Sequence, residues 1–192
     1  PGAVAGDVKF KDVNKDGLIT DEDRTYQGVS IPKISYGLNL SGSYKNWEFS
    51  MFWQGSAGNK IYNGTYNSLM IGGLVNHHTD MLNYWTPTNT DTNIPRPDQL
   101  ETNQNARASD RFIQNGNYIK LQNAQLAYNI PLKANNIVEH AKVYVSGQNL
   151  LTISKYKGYD PDFMSDGLFS RGFDYGSFPN PRTFILGVEI DF

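Results

Sequence analysis

The chain of 192 residues carries 17 Lys and Arg against 19 Asp and Glu, a formal charge of −2, and contains no cysteine. The last point excludes disulfides, thiolate nucleophiles and zinc–thiolate sites. A near-neutral chain with no run of five like charges lacks the concentrated basic field that releases counterions from nucleic acid, so no nucleic-acid partner is expected. No stretch approaches the roughly 20 consecutive apolar residues of a transmembrane helix, which leaves a membrane β-barrel open. The start at Pro1, without an initiator Met or a targeting segment, is read as a processed product or a piece of something longer.

The first motif is Asp12-Val13-Asn14-Lys15-Asp16-Gly17-Leu18-Ile19-Thr20-Asp21-Glu22-Asp23, which follows the twelve-residue calcium loop at nearly every defined position. Calcium takes six to eight hard oxygen ligands, and this spacing curls Asp12, Asn14 and Asp16 round one point while Gly17 permits the sharp turn. Leu18 would add its carbonyl, Thr20 a hydroxyl or a bridging water, and Asp23 the closing carboxylate. A structural Ca2+ is therefore expected, with Asp23, shorter than the usual Glu, weakening the site. No amphipathic helix precedes the loop, because Gly6 to Lys11 alternates like a strand, so a regulatory pair of calcium hands is not expected. The other reading is a solvated turn without metal.

With 18 Gly, 20 Asn and 9 Pro punctuating alternating segments, the rest of the chain reads as all-β. A strand is expected from Lys33 to Tyr44, with Ile34, Tyr36, Leu38, Leu40 and Tyr44 on one face and Ser35, Asn39, Ser41 and Ser43 on the other. Lys45-Asn46 makes a tight turn into a strand from Trp47 to Tyr62, where Trp47, Phe49, Met51 and Trp53 alternate with polar residues and Phe52 breaks the parity. Two more strands are expected at Phe112 to Ile130, ended by Pro131, and at Lys142 to Ile153. The last runs from Arg182 to Phe192, with Phe184, Leu186, Val188, Ile190 and Phe192 in phase.

Short connections at 45–46 and 131–140 alternate with long ones at about 63–111 and 154–181. Structureless loops of that length count against a compact soluble domain. They are the usual asymmetry of an outer-membrane barrel, whose turns are short on one side and whose loops are long on the other. Tyr and Trp near strand ends fit the aromatic girdles of such barrels. Five strands cannot close one, so the chain would be the C-terminal part of a larger barrel. A soluble β-sandwich with its apolar face in the core is the competing pattern.

Catalytic chemistry is missing from the sequence. His77, His78 and His140 offer no metal spacing, and there is no nucleophile elbow or phosphate-binding loop. Asp160-Pro161-Asp162 is read as a polar turn rather than as paired catalytic carboxylates. The long connections are instead rich in aromatics: Tyr62, Tyr66, Tyr156, Phe169 and Phe178, together with Tyr84, Trp85, Tyr159, Phe163, Phe173 and Tyr175, the weak candidates for substrate contact. No enzyme is expected.

Five segments in this order carry a family resemblance: Gly6 to Gly17; Asn83-Tyr84-Trp85-Thr86-Pro87 followed by Asn93-Ile94-Pro95-Arg96; Asn117 to Asn123; Val143 to Thr152; and Pro179 to Phe184. The chain resembles the C-terminal region of the SusC/RagA family of TonB-dependent outer-membrane transporters of Bacteroidota. The resemblance implies a 22-stranded barrel with a plug, a SusD-like lipoprotein lid, and import of glycan oligomers or peptides powered by the TonB complex. Residues 1–32 would then be an extracellular segment, and 33–192 the last strands, lipid-facing, with Phe192 at the periplasmic end. Phe184, Leu186, Val188, Ile190 and Phe192 would form the signal read by the assembly machinery. The alternative is a secreted, calcium-stabilised glycan-binding module.

Overall fold

The structure is a computed structural model that describes residues 3–71, 76–100, 102–132, 137–163 and 170–192. Five strands form one open antiparallel sheet: β1 (Ile34–Tyr44), β2 (Trp47–Ala57), β5 (Tyr118–Asn129), β6 (His140–Ser154) and β8 (Thr183–Asp191), in that spatial order. Three short strands, β3 (Lys60–Asn63), β4 (Ile113–Asn115) and β7 (Phe173–Asp174), make a separate sheet in the order β4-β3-β7. One short helix, α1 (Gly64–Leu69), follows β3, with the Asn63 side chain accepting from the Tyr66 N–H at its start. The expected strand positions hold, except that two of them are divided. The span Trp47 to Tyr62 breaks at Gly58, whose φ of +89° an ordinary side chain resists. Phe112 to Ile130 breaks opposite it, where Gly116 N–H donates to Asn59 O. Both chains therefore bend together, and their ends leave the large sheet for the small one.

Register fixes what each face of the large sheet carries, because residues directly opposite one another point the same way. Leu38 pairs with Trp53, Leu40 with Met51 and Tyr44 with Trp47. Phe49 faces Leu126, Leu126 faces Val145, and Val145 faces Leu186. This face is apolar across all five strands. Ser41 with Ser50, Asn123 with Gln148, and Lys142 with Glu189 hold the opposite face, where Phe52 and Ile185 are the apolar intruders. An extra residue, Gln122, shifts the register between β2 and β5, and Asn149, with φ of +53°, does so on β6. Such bulges sharpen local twist in a curved wall.

The core does not lie against this sheet. Met70, Met81 and Phe112, with Tyr62, Tyr66 and Ile94 packed round them, form a cluster in the loop layer beside the small sheet. The apolar face stays open, with Leu38 54%, Phe49 46% and Leu186 82% exposed. A β-sandwich would bury this row against a second sheet, and among the described residues none covers it. The sandwich alternative is therefore corrected to a curved barrel wall that is not closed within this chain.

Candidate functional site

The two long connections, drawn from sequence as loops, carry structure of their own. β3, which leads into the first, pairs in parallel with β7 in the second, Tyr62 with Phe173 and Asn63 with Asp174. Asp174 is buried and accepts from the Tyr156 hydroxyl and from the Gly176 and Ser177 N–H groups. Tyr66 donates to Asp80 at 2.8 Å. Burial, then this bond, pushes the Tyr66 hydroxyl up to about 12.

Below this layer, on the polar face of the large sheet, sits a charged group that sequence reading missed. Lys120, on β5, is fully buried. Its Nζ lies 3.1 Å from both oxygens of Asp160 and 3.0 Å from Asp162 Oδ2. Tyr118 donates to Asp162 Oδ1 at 2.8 Å and Gln54 to Asp162 Oδ2 at 3.3 Å. Asn180 reaches back from the far arm of the same connection, donating through Nδ2 to Asp160 Oδ2 at 3.0 Å. The Asp160-Pro161-Asp162 turn is thus a clamp on the barrel wall. A lone Lys among the polar residues of a strand gave no sign of it, since its partners lie about 40 residues away.

Burial alone would raise the Asp160 carboxyl, but the Asp162 N–H, Lys120 and Asn180 outweigh it and hold the group below its ordinary 3.8. A carboxyl lowered in the folded state stabilises above the unfolded value and loses that contribution as pH falls through the folded one. Limited digestion of the intact receptor with pepsin is therefore expected to cut segment 154–181 only below about pH 4. Unchanged resistance at lower pH would show that the clamp does not hold the segment.

A second tether fixes the N-terminal segment. Arg96 Nε lies 2.8 Å from Asp7 Oδ1, and Asn105 Nδ2 donates to the same carboxylate at 3.0 Å. Burial works against ionisation of Asp7, but the Val4 N–H, Asn105 and Arg96 together lower its pKa. Arg96 N–H donates to Gly6 O, and Trp85 packs against Gly6. The motifs at 6–17, 83–87 and 93–96 therefore meet in space, as Lys120 and Asn180 of two later motifs meet at Asp160.

In the calcium-type loop, Asp12 accepts from the Lys15 and Gly17 N–H groups, Asn14 Oδ1 from Asp16 N–H, and Asp16 Oδ1 from Leu18 N–H. Gly17 has φ of +85°, so the sharp turn needs its missing side chain. Asp23 accepts from Val13 and Thr20 N–H and, with Thr20, caps a 3-10 turn at Asp21–Asp23. Among the described residues no group of three or more His, Cys, Asp or Glu gathers tightly enough to hold a metal. The donors fit calcium by chemistry, being hard oxygens that each keep a lone pair beyond these bonds.

The aromatic candidates fall into separate places. Phe173 and Tyr175 stack with rings 6.2 Å apart, and Tyr62 lies 5.3 Å from Phe173. Tyr175 and Tyr159 are exposed. Phe163 lines a cavity of about 680 Å³ with Tyr36 and Tyr118. Tyr84 bridges to Ile94, and Trp85 serves the N-terminal tether. Phe169 lies outside the described residues. A second cavity of about 500 Å³ opens on the polar face among Asn39, Ser41, Ser50, Phe52, Gln122 and Gln148.

No protein-family model matches the chain. It is 37% identical to TonB-dependent receptor P3 of Formosa agariphila over 97% of this chain and 19% of that protein. It is 28% identical to TonB-dependent receptor SusC of Bacteroides thetaiotaomicron over 95% of this chain and 17% of that one. The structure of the RagAB peptide transporter superposes with a TM-score of 0.72 at 26% identity, covering 87% of this chain and 18% of the other. Sheet and sequence together define a wall segment of a TonB-dependent receptor barrel. The chain belongs to the SusC/RagA family and spans about a fifth of the length of the relatives it matches. These relatives are named as TonB-dependent receptors and a peptide transporter.

Proposed function

We propose that the parent protein is an outer-membrane importer of glycan oligomers or peptides, of which this chain forms the C-terminal strands and loops. The observation that carries this reading is the one-sided sheet, whose apolar face runs uncovered across five strands while its loop layer is packed and hydrogen-bonded. In this reading the apolar face meets lipid, the layer around α1 and the small sheet faces the cell exterior, and Phe192 ends in the periplasm. A SusD-like lipoprotein closes over the loops, and the TonB complex supplies energy through a plug elsewhere in the protein. Tyr84, Trp85, Tyr159, Phe163, Phe173 and Tyr175 are the substrate contacts of this reading. A strain lacking the receptor is expected to lose TonB-dependent growth on one oligomer class; unchanged growth on every glycan and peptide tested would overturn the reading.

The row Phe184, Leu186, Val188, Ile190 and Phe192 serves in this reading as the assembly signal. Deleting Phe192 from the full receptor is expected to abolish its outer-membrane level by immunoblot, and a normal level would remove that role. Ca2+ would be held by Asp12, Asn14, Asp16, Leu18 O, Thr20 and Asp23, rigidifying the loop at the millimolar concentrations found outside cells. Chelation of the intact receptor is expected to expose 12–23 to protease, and Asp12→Ala to abolish the difference between calcium and chelator. Identical cleavage patterns in wild type with and without calcium would dismiss the metal.

A further inference from the structure

We infer that the cavity of about 680 Å³ between the large sheet and the small one is a subsite for an acidic sugar, selected by Arg171. This rests on the importer reading. The volume falls within the range of small-molecule sites, about 300–1,000 Å³. Its flat ring surfaces on the polar side of the sheet are Tyr118, Phe163 and Pro161. Stacked faces of this kind match the C–H faces of a sugar ring.

Two polar groups in the lining have no partner among the described residues. Asn59 is 7% exposed, and its Oδ1 has no hydrogen-bond donor. A buried acceptor left unpaired costs about 1–3 kcal/mol, and a ligand hydroxyl would satisfy it. Arg171, exposed at the rim, makes no ion pair or hydrogen bond with any described residue. Its backbone is fixed all the same. Gly172 O accepts from Tyr62 N–H at 2.8 Å and Phe173 N–H donates to Ser170 O at 3.0 Å, so the guanidinium projects from a held turn. The remaining charge in the lining, Asp162, is engaged by Lys120, Tyr118 and Gln54.

An unpaired guanidinium offers two parallel N–H donors to a carboxylate or sulfate. With a hydroxyl acceptor and aromatic faces beside it, the complementary ligand is a hydroxylated anion: a uronate or a sulfated hexose. A peptide would instead call for a row of free backbone N–H and C=O groups.

The test is calorimetric titration of the full receptor in detergent with trigalacturonate, a sulfated galactose trisaccharide, maltotriose and trialanine. The wild type is expected to bind at least one of the two anionic sugars at least tenfold more tightly than maltotriose. Arg171→Gln should remove that preference while Arg171→Lys keeps part of it, with outer-membrane levels equal in all three. The carboxylate and sulfate probes distinguish the two anion sources. Equal affinity for acidic and neutral sugars, a preference for trialanine, no binding of any sugar, or indifference to Arg171→Gln would each overturn the subsite. A receptor that fails here yet still drives TonB-dependent uptake leaves the importer reading intact, whereas loss of that uptake dependence removes the reading itself.

Discussion

Lys120→Met in the full receptor is expected to cost about 3–5 kcal/mol, the penalty for removing one member of a buried ion group and leaving its partner charges uncompensated. Two carboxylates depend on this ammonium, and Asp160 is itself 6% exposed. Tyr118, Gln54 and Asn180 can still donate to them, but none supplies a positive charge. The variant should unfold at markedly lower urea concentration, and segment 154–181 should be cleaved at neutral pH. Adding Asp160→Asn should recover part of the loss, because it removes one of the stranded charges. A single variant as stable as wild type would mean that the ion group contributes nothing to holding the connection.

Leu126→Arg and Gln125→Arg are expected to differ sharply although the residues are neighbours. Leu126 lies on the apolar face beside Phe49 and Val145, and Gln125 on the polar face beside Ser50 and Ser146. If the apolar face meets hydrocarbon, arginine at 126 costs up to about 2–4 kcal/mol, most at the bilayer midplane, and arginine at 125 costs little. Folding into lipid vesicles from urea measures both. Equal tolerance would place neither face in lipid.

Most of the large sheet was legible because period-2 alternation maps directly onto the two faces of a strand. Phe184 to Phe192 needed nothing further. The breaks at Gly58 and Gly116 were not legible, since the alternation and apolar content of Trp47 to Tyr62 run straight across the bend. Its cause is a backbone angle at one residue and a hydrogen bond to another strand. The small sheet was invisible for a related reason: strands of two to four residues carry too few side chains to show a period. Among the site residues, the calcium-type loop was readable because its geometry is local in sequence. The Lys120 clamp was not, because a buried charge announces itself only through partners that folding brings from elsewhere.

The parallel pairing of β3 with β7 has a consequence for remodelling the receptor. Residues about 110 positions apart along the chain share backbone hydrogen bonds there, and Asp174 and Met70 pack into the same layer. The two long connections therefore behave as a single cassette. Transplanting either one from a relative, in the hope of exchanging what the receptor admits, would leave half a sheet without its edge; a successful graft must carry both segments, and Lys120 with them.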